Sequence, residues 1–144
     1  KNYAGGEYLT IAQNFSVEEL TAEHEIRIWE DFGPVFFLQK FPQYTSPFWN
    51  MKKIGDCAAK IDVLLYGVET IGSAERSINP QEMRHSFHTI SDGMYADILY
   101  AQFGKERVET ELERFLSFNF FPRCGGGIGI TRMISAMKQE NILR

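Results

Sequence analysis

Helical and strand-like hydrophobic patterns alternate along this chain. From Asn14 onward, Val17, Leu20, His24, Ile28 and Trp29 fall on one face at helical spacing. Ser16 followed by Glu19 has the form of a capping box, and Gly33-Pro34 ends the segment. Upstream, Tyr8-Leu9-Thr10-Ile11 reads as a short strand after a turn at Gly5-Gly6. Val35-Phe36-Phe37-Leu38 is a continuous apolar run between Pro34 and Pro42, the pattern of a strand covered on both faces. Residues 48–52 return to the sheet, and residues 53–60, with Gly55-Asp56, make a hairpin connection.

Residues 61–67 and 68–73 then read as two neighbouring strands. Asn79 caps a helix that carries Pro80 in its first position. Helical spacing recurs over residues 91–103 (Met94, Ile98, Ala101) and 105–118 (Val108, Leu112, Phe115, Leu116), with Gly104 between them. A glycine-rich turn, Cys124-Gly125-Gly126-Gly127-Ile128-Gly129, leads into a last helix over residues 131–138. The fold class these elements predict is α+β, a mostly antiparallel sheet with helices packed on one side. No repeat or low-complexity linker divides the chain, so residues 1–144 read as one domain.

Composition narrows the class. The 144 residues are 44% hydrophobic and 14% aromatic, enough for a packed core and against disorder. A net charge of −4 gives no general reason for strong nucleic-acid binding. Two cysteines, with no CxxC and no histidine pair nearby, give no zinc signature and fit a reducing compartment. No apolar run reaches membrane-spanning length and no signal peptide is present, so the reading is a cytoplasmic chain with no membrane partner. It begins at Lys1, as a fragment or a processed chain would.

Three stretches carry polar residues that packing alone does not ask for. Asp62 interrupts an apolar strand. Glu69-Thr70-Ile71-Gly72-Ser73-Ala74-Glu75-Arg76 follows, and in a regular strand Glu69, Ile71 and Ser73 share one face. The glycine-rich turn ends in Thr131-Arg132, where free N–H groups and the helix dipole favour an anion. A carboxylate beside a phosphate-binding turn suits a magnesium-bound nucleotide. An arginine beyond it suits a carboxylate substrate. A tight loop, a solvated arginine and a surface Glu75–Arg76 pair would leave the same residues in the sequence.

Several of these motifs, in this order, resemble the C-terminal half of a class II aminoacyl-tRNA synthetase catalytic core. They are Phe41-Pro42, Ser46-Pro47-Phe48-Trp49-Asn50-Met51, Ile61-Asp62-Val63-Leu64-Leu65-Tyr66-Gly67, the Glu69-to-Arg76 stretch, and Gly125-Gly126-Gly127-Ile128-Gly129-Ile130-Thr131-Arg132. The resemblance runs from about residue 17 to 138. It is nearest to the aspartyl/asparaginyl branch and to its relatives, the ammonia-dependent asparagine synthetases. It implies ATP and Mg2+ as cofactors, with Glu69, Gly127, Gly129 and Arg132 at the ATP and Glu69 and Asp62 at the metal. Arg76 would grip the side-chain carboxylate of aspartate, with Ser73 lining the amino-acid pocket.

Thr131 stands where the tRNA synthetases carry an acidic residue and where asparagine synthetases of this kind carry a small hydroxyl residue. Lys40 precedes Phe41-Pro42, where an acidic or neutral residue is usual. Neither the first two class motifs nor an anticodon-binding barrel is legible. The expectation is therefore an ATP-dependent aspartate–ammonia ligase, or part of one, acting as a homodimer on aspartate and ammonia without tRNA. The alternatives are an asparaginyl- or aspartyl-tRNA synthetase core and an inactive synthetase-like binding module.

Overall fold

The computed structural model describes residues 2–143. Its sheet comprises β1 (Ala4–Glu7), β2 (Val35–Pro42), β3 (Lys53–Ile54), β4 (Cys57–Leu65), β5 (Val68–Arg76) and β6 (Arg123–Ile128). The strand order is β1-β2-β4-β5-β6, with β3 paired to the start of β4. Among the described residues only the β1–β2 pair is parallel. The α+β expectation holds, and so do the Gly55-Asp56 hairpin and the β4–β5 pairing.

Two helices, α1 (Tyr8–Asn14) and α2 (Ala22–Phe32), cover one end of one sheet face. Tyr8, Ile11 and Ile28 pack there on Phe36, Leu38, Phe41 and Leu64. Phe36 and Leu38 alternate as period 2 requires, and Phe41 joins the same cluster across the irregularity between Gln39 and Phe41. A separate helical cluster forms from α3 (Pro80–Thr89), α4 (Met94–Phe103) and α5 (Lys105–Leu116). Its core is Met83, Phe87, Ala96, Val108, Leu112 and Leu116, with Trp49 packed against it. Asn79 caps α3 as expected, its side chain accepting the Gln81 and Glu82 backbone N–H groups. The last helix, α6 (Ile130–Gln139), follows β6 directly.

Four expectations are corrected. Gly5-Gly6 lies in strand β1, and residues 8–14 form a helix, because Tyr8, Ile11 and Ala12 bury one helical stripe on the sheet. Ser16 ends α1 instead of opening α2. It adopts φ 57°, while Val17 N–H returns to Ala12 O and Ser16 N–H to Gln13 O, a Schellman closure. The cap of α2 is Thr21, whose backbone N–H donates to His24 Nδ1 at 3.0 Å. Residues 48–52 contribute a single bridge, Met51 to Arg76. The glycine-rich run is the strand β6 and not a turn.

Candidate functional site

Register decides which side chains meet. Antiparallel partners share a face, so Lys60 with Ala74, Asp62 with Gly72, Ala74 with Gly125, and Gly72 with Gly127 all lie on the face that α1 and α2 cover only in part. The β4–β5 register shifts between Val63 and Leu64: Val63 pairs Ile71, but Leu64 pairs Glu69. Thr70 is thus the extra residue of a bulge, and it re-aims its neighbour. Glu69 turns onto the face of Asp62, away from that of Ile71 and Ser73. A Cβ added at Gly72 would stand 2.8 Å from Glu69 Oε1 and 3.4 Å from Asp62 Oδ1. The two carboxylates converge over the space this glycine leaves.

The placement of Ser73 corrects the shared-face expectation. Its Oγ donates to Ile61 O at 3.2 Å on the opposite face, beside a cavity that Glu75, Cys124 and Gly126 also line. The structure does not bring Ser73 together with Arg76, Asp62 or Glu69.

Asp62 is 4% exposed. Its Oδ2 accepts a hydrogen bond from Lys60 Nζ at 2.5 Å, whereas Oδ1 is buried without a partner. Burial pushes the carboxyl up to about 6 against the pull of Lys60, and the charge of Glu69 adds to the rise. Glu25, half-buried on α2, completes this acidic corner. Its own carboxyl is raised by burial and then by Glu69, while the Glu69 backbone N–H and Arg132 oppose the rise. Sequence reasoning missed Glu25 as a site residue. The available signal was a carboxylate three positions before the buried Ile28, on the inner stripe of α2.

Arg132 stands in the first turn of α6. Its Nη1 donates to Glu69 O at 2.7 Å, and Gly129 N–H donates to Thr70 O at 2.8 Å. Both contacts land on the bulge. They tie the start of α6 to the same two residues that turn Glu69 inward. Arg76 occupies the other end of the face. Nη1 donates to Asn50 Oδ1 at 3.0 Å and Nη2 to Gly125 O at 3.1 Å, which orients the guanidinium. Arg76 lies four strand positions beyond Gly72, about 13 Å at the usual rise.

The glycines of β6 do different work. At Gly126 a Cβ would meet Gly72 O at 2.6 Å, so this glycine permits the close approach of β5. At Gly127 nothing lies within 4 Å of a Cβ. The predicted contrast is direct: Gly126→Ala lowers stability by about 1–3 kcal/mol, as overpacking does. Gly127→Val leaves the urea midpoint nearly unchanged, and any effect it has falls on ligand affinity.

A magnesium ion and a nucleotide fit these residues. Among the described residues no three acidic, histidine or cysteine side chains form a self-sufficient metal site. Magnesium needs only one or two carboxylates when phosphate oxygens complete its shell. The partnerless Oδ1 of Asp62 beside Glu69 Oε1 offers that pair.

The family described as tRNA synthetases class II (D, K and N) matches residues 6–144. The chain is 23% identical over 120 residues to the aspartate–tRNA(Asp) ligase of Pyrobaculum aerophilum, covering 83% of this chain and 25% of that protein. It is 27% identical over 131 residues to the aspartate–tRNA(Asp/Asn) ligase of Methanopyrus kandleri, covering 87% and 26%. Among solved structures, asparaginyl-tRNA synthetase from Entamoeba histolytica in complex with asparaginyl-adenylate superposes with TM-score 0.72 at 16% identity, covering 98% of this chain and 33% of that one. The asparaginyl-adenylate complex of the Pyrococcus horikoshii enzyme gives 0.69 at 20% identity, covering 95% and 32%. The chain thus spans about a quarter of the length of the curated relatives it matches.

Proposed function

This chain belongs to the class II tRNA synthetases (D, K and N), and from that premise we propose that its Asp62–Arg76 face joins aspartate to ATP as an acyl adenylate. The observation that carries the reading is the bulge at Thr70. It sets Glu69 beside Asp62 and holds Arg132 on the Glu69 carbonyl. Asp62 and Glu69 would hold Mg2+ on the phosphates, and the ion would supply charge neutralisation there. Arg132 and the open surface over Gly127 would receive the nucleotide. A carboxylate oxygen of aspartate attacks the α-phosphorus, the bond to the bridging oxygen breaks, and pyrophosphate leaves. Arg132 offsets the negative charge that grows on the phosphate oxygens.

Two acceptors make opposite demands on Arg76. Transfer to tRNA uses the α-carboxylate, so Arg76 holds the side-chain carboxylate away from the phosphorus. Asparagine synthesis from ammonia activates the side-chain carboxylate, so the substrate must sit reversed, with its α-carboxylate on Arg76. The aspartyl- and asparaginyl-type relatives favour tRNA as the acceptor. Thr131, a neutral residue next to Arg132, favours ammonia as the second reading.

Aspartate-dependent exchange of labelled pyrophosphate into ATP tests the shared step. Asparagine plus AMP, or aspartyl-tRNA plus AMP, then tells the two acceptors apart. ATP binding without exchange would reduce the chain to a nucleotide-binding module and sink the adenylation reading.

A further inference from the structure

We propose that His88 is a proton-operated clasp on the helical cluster of α3, α4 and α5, closed while its imidazole is charged, and that its release loosens the segment that orients Arg76. The inference does not rest on adenylation. Both ring nitrogens face acceptors. Nδ1 lies 2.8 Å from the carbonyl oxygen of Arg84, one turn back on α3, and Nε2 lies 2.9 Å from Glu109 Oε1 on α5. A backbone carbonyl and an ionised carboxylate only accept, and imidazole donates from both nitrogens only when charged. Tyr100 of α4 donates its hydroxyl to the same Oε1, so one carboxylate oxygen joins the three helices.

Loss of the proton leaves one N–H for two acceptors. If Nε2 keeps it, the Nδ1 lone pair meets the Arg84 oxygen; if Nδ1 keeps it, the Nε2 lone pair meets the Glu109 carboxylate. Either way the ring must turn, and the tie between α3 and α5 is given up. The surrounding groups favour the charged form. Burial pulls the imidazole down, but the hydrogen bonds to Glu109 and Arg84 O and the charge of Glu109 hold it above its usual 6.5, with the Arg84 charge opposing. The Tyr100 hydrogen bond holds Glu109 below its usual range against burial, and His88 and Lys105 add to the fall. Asp97 stands behind on α4, acting on Tyr100. Glu113, one turn beyond Glu109, takes Arg84 Nε at 2.9 Å and Nη2 as well. That pair keeps its charges while His88 titrates, so the seam has a fixed tie one turn from the switchable one.

The cluster also supports Arg76. Phe87, next to His88, and Phe115 of α5 meet the ring of Trp49 edge-on, at centroid distances of 5.4 and 5.6 Å. Asn50, the next residue, accepts from Arg76 Nη1, and its carbonyl accepts the Ser77 N–H, while Lys52 N–H donates to Glu75 O. Trp49 is thus seated between α3 and α5, and the backbone after it is fastened to the end of β5. A seam that parts unseats Trp49 and slackens those bonds. Because the folded protein holds the His88 proton more tightly, the clasp is fully closed below about pH 6.5 and is lost as pH rises through the raised value.

The experiment follows backbone amide exchange, corrected for its intrinsic base catalysis, and the His88 ring resonances by NMR from about pH 5.5 to about 8.5. Parent protein is compared with His88→Gln, which can donate to Glu109 but has no proton to lose. Asp62 titrates alike in both and cancels. The protection of the parent relative to the variant, at the amides of α3–α5 and at Lys52 and Ser77, should fall as His88 titrates. The fall should be about tenfold for each unit by which the His88 midpoint exceeds 6.5. Glu109→Gln keeps an acceptor oxygen for His88 and Tyr100 without the charge, so the midpoint and the step in protection should move down in pH together. A His88 midpoint at or below 6.5, a constant ratio of parent to variant, or a step that stays put in Glu109→Gln would each overturn the assignment. So would Lys52 and Ser77 amides that do not follow the cluster.

Discussion

Replacing Arg76 with alanine is expected to lower aspartate-dependent pyrophosphate exchange at subsaturating aspartate by about ten- to a hundredfold, the scale of one charge-assisted hydrogen-bonded contact of about 1.5–3 kcal/mol. ATP affinity should stay near the parent value, because Asp62 and Glu69 meet over Gly72, about 13 Å from Arg76 along β5, and Arg132 is held at Glu69, farther along the strand. The structure adds a condition that the sequence did not show. Arg76 is oriented by Asn50 Oδ1 and Gly125 O. A lysine keeps the charge but cannot reproduce the fork, so Arg76→Lys should recover little. Asn50→Ala should give a milder loss of the same kind, felt in the KM for aspartate before kcat. An Arg76→Ala protein with unchanged aspartate kinetics would remove Arg76 from the substrate site. The acceptor question turns on the same residue. Steady-state products of the parent protein with ammonia or tRNA report which carboxylate of aspartate faces the phosphorus, and hence which one Arg76 holds.

Much of this arrangement was legible in the sequence because it depends on local rules. The Asn79-Pro80 cap, the Gly55-Asp56 hairpin, the Gly104 break and the helix after Gly129 each rest on a few neighbouring residues. What could not be read depends on pairing between distant segments. The Glu69-to-Ser73 face assumed a regular strand. The bulge that separates Glu69 from Ser73 exists only in register with Val63 and Leu64 of β4. Likewise, four glycines within five residues read as a turn. The run becomes a strand because Gly126 lets β5 approach to where a side chain would clash. Ser16 and Thr21 are both good caps on residue type. The choice between them was made by the α1 terminus, where Ser16 was already committed to the left-handed closure. Glu25 was not assigned to the site for a related reason: its neighbours Glu69, Asp62 and Arg132 belong to three other elements.

Removing either member of the Asp62–Glu69 pair should have the largest effect on nucleotide binding, and the pair also predicts a pH signature. Glu69→Gln and Asp62→Asn each delete one carboxylate from a site with only two at the Gly72 gap. Mg2+-dependent ATP affinity should therefore fall by at least tenfold in each, by analogy with the loss of a charged partner. In the metal-free protein, the Asp62 carboxyl is raised from an ordinary 3.8 to about 6. The folded state therefore holds the proton more tightly than the unfolded state. The stability Asp62 contributes is full below about pH 4 and is lost as pH rises through about 6, amounting to about 3 kcal/mol by linkage. Urea unfolding of parent and Asp62→Asn from pH 3.5 to 7.5 checks this: the parent's stability relative to the variant should decline across that window and then level off. Bound Mg2+ requires the ionised carboxylate, so the same titration should appear with opposite sense in binding. Mg2+–ATP affinity should climb with pH up to about 6 and flatten above it. If Asp62→Asn binds Mg2+–ATP as the parent does, the ion is held by Glu69 alone. The orphaned Oδ1 would then be a cost the fold carries for Lys60, and the pH dependence of stability would survive without its counterpart in binding.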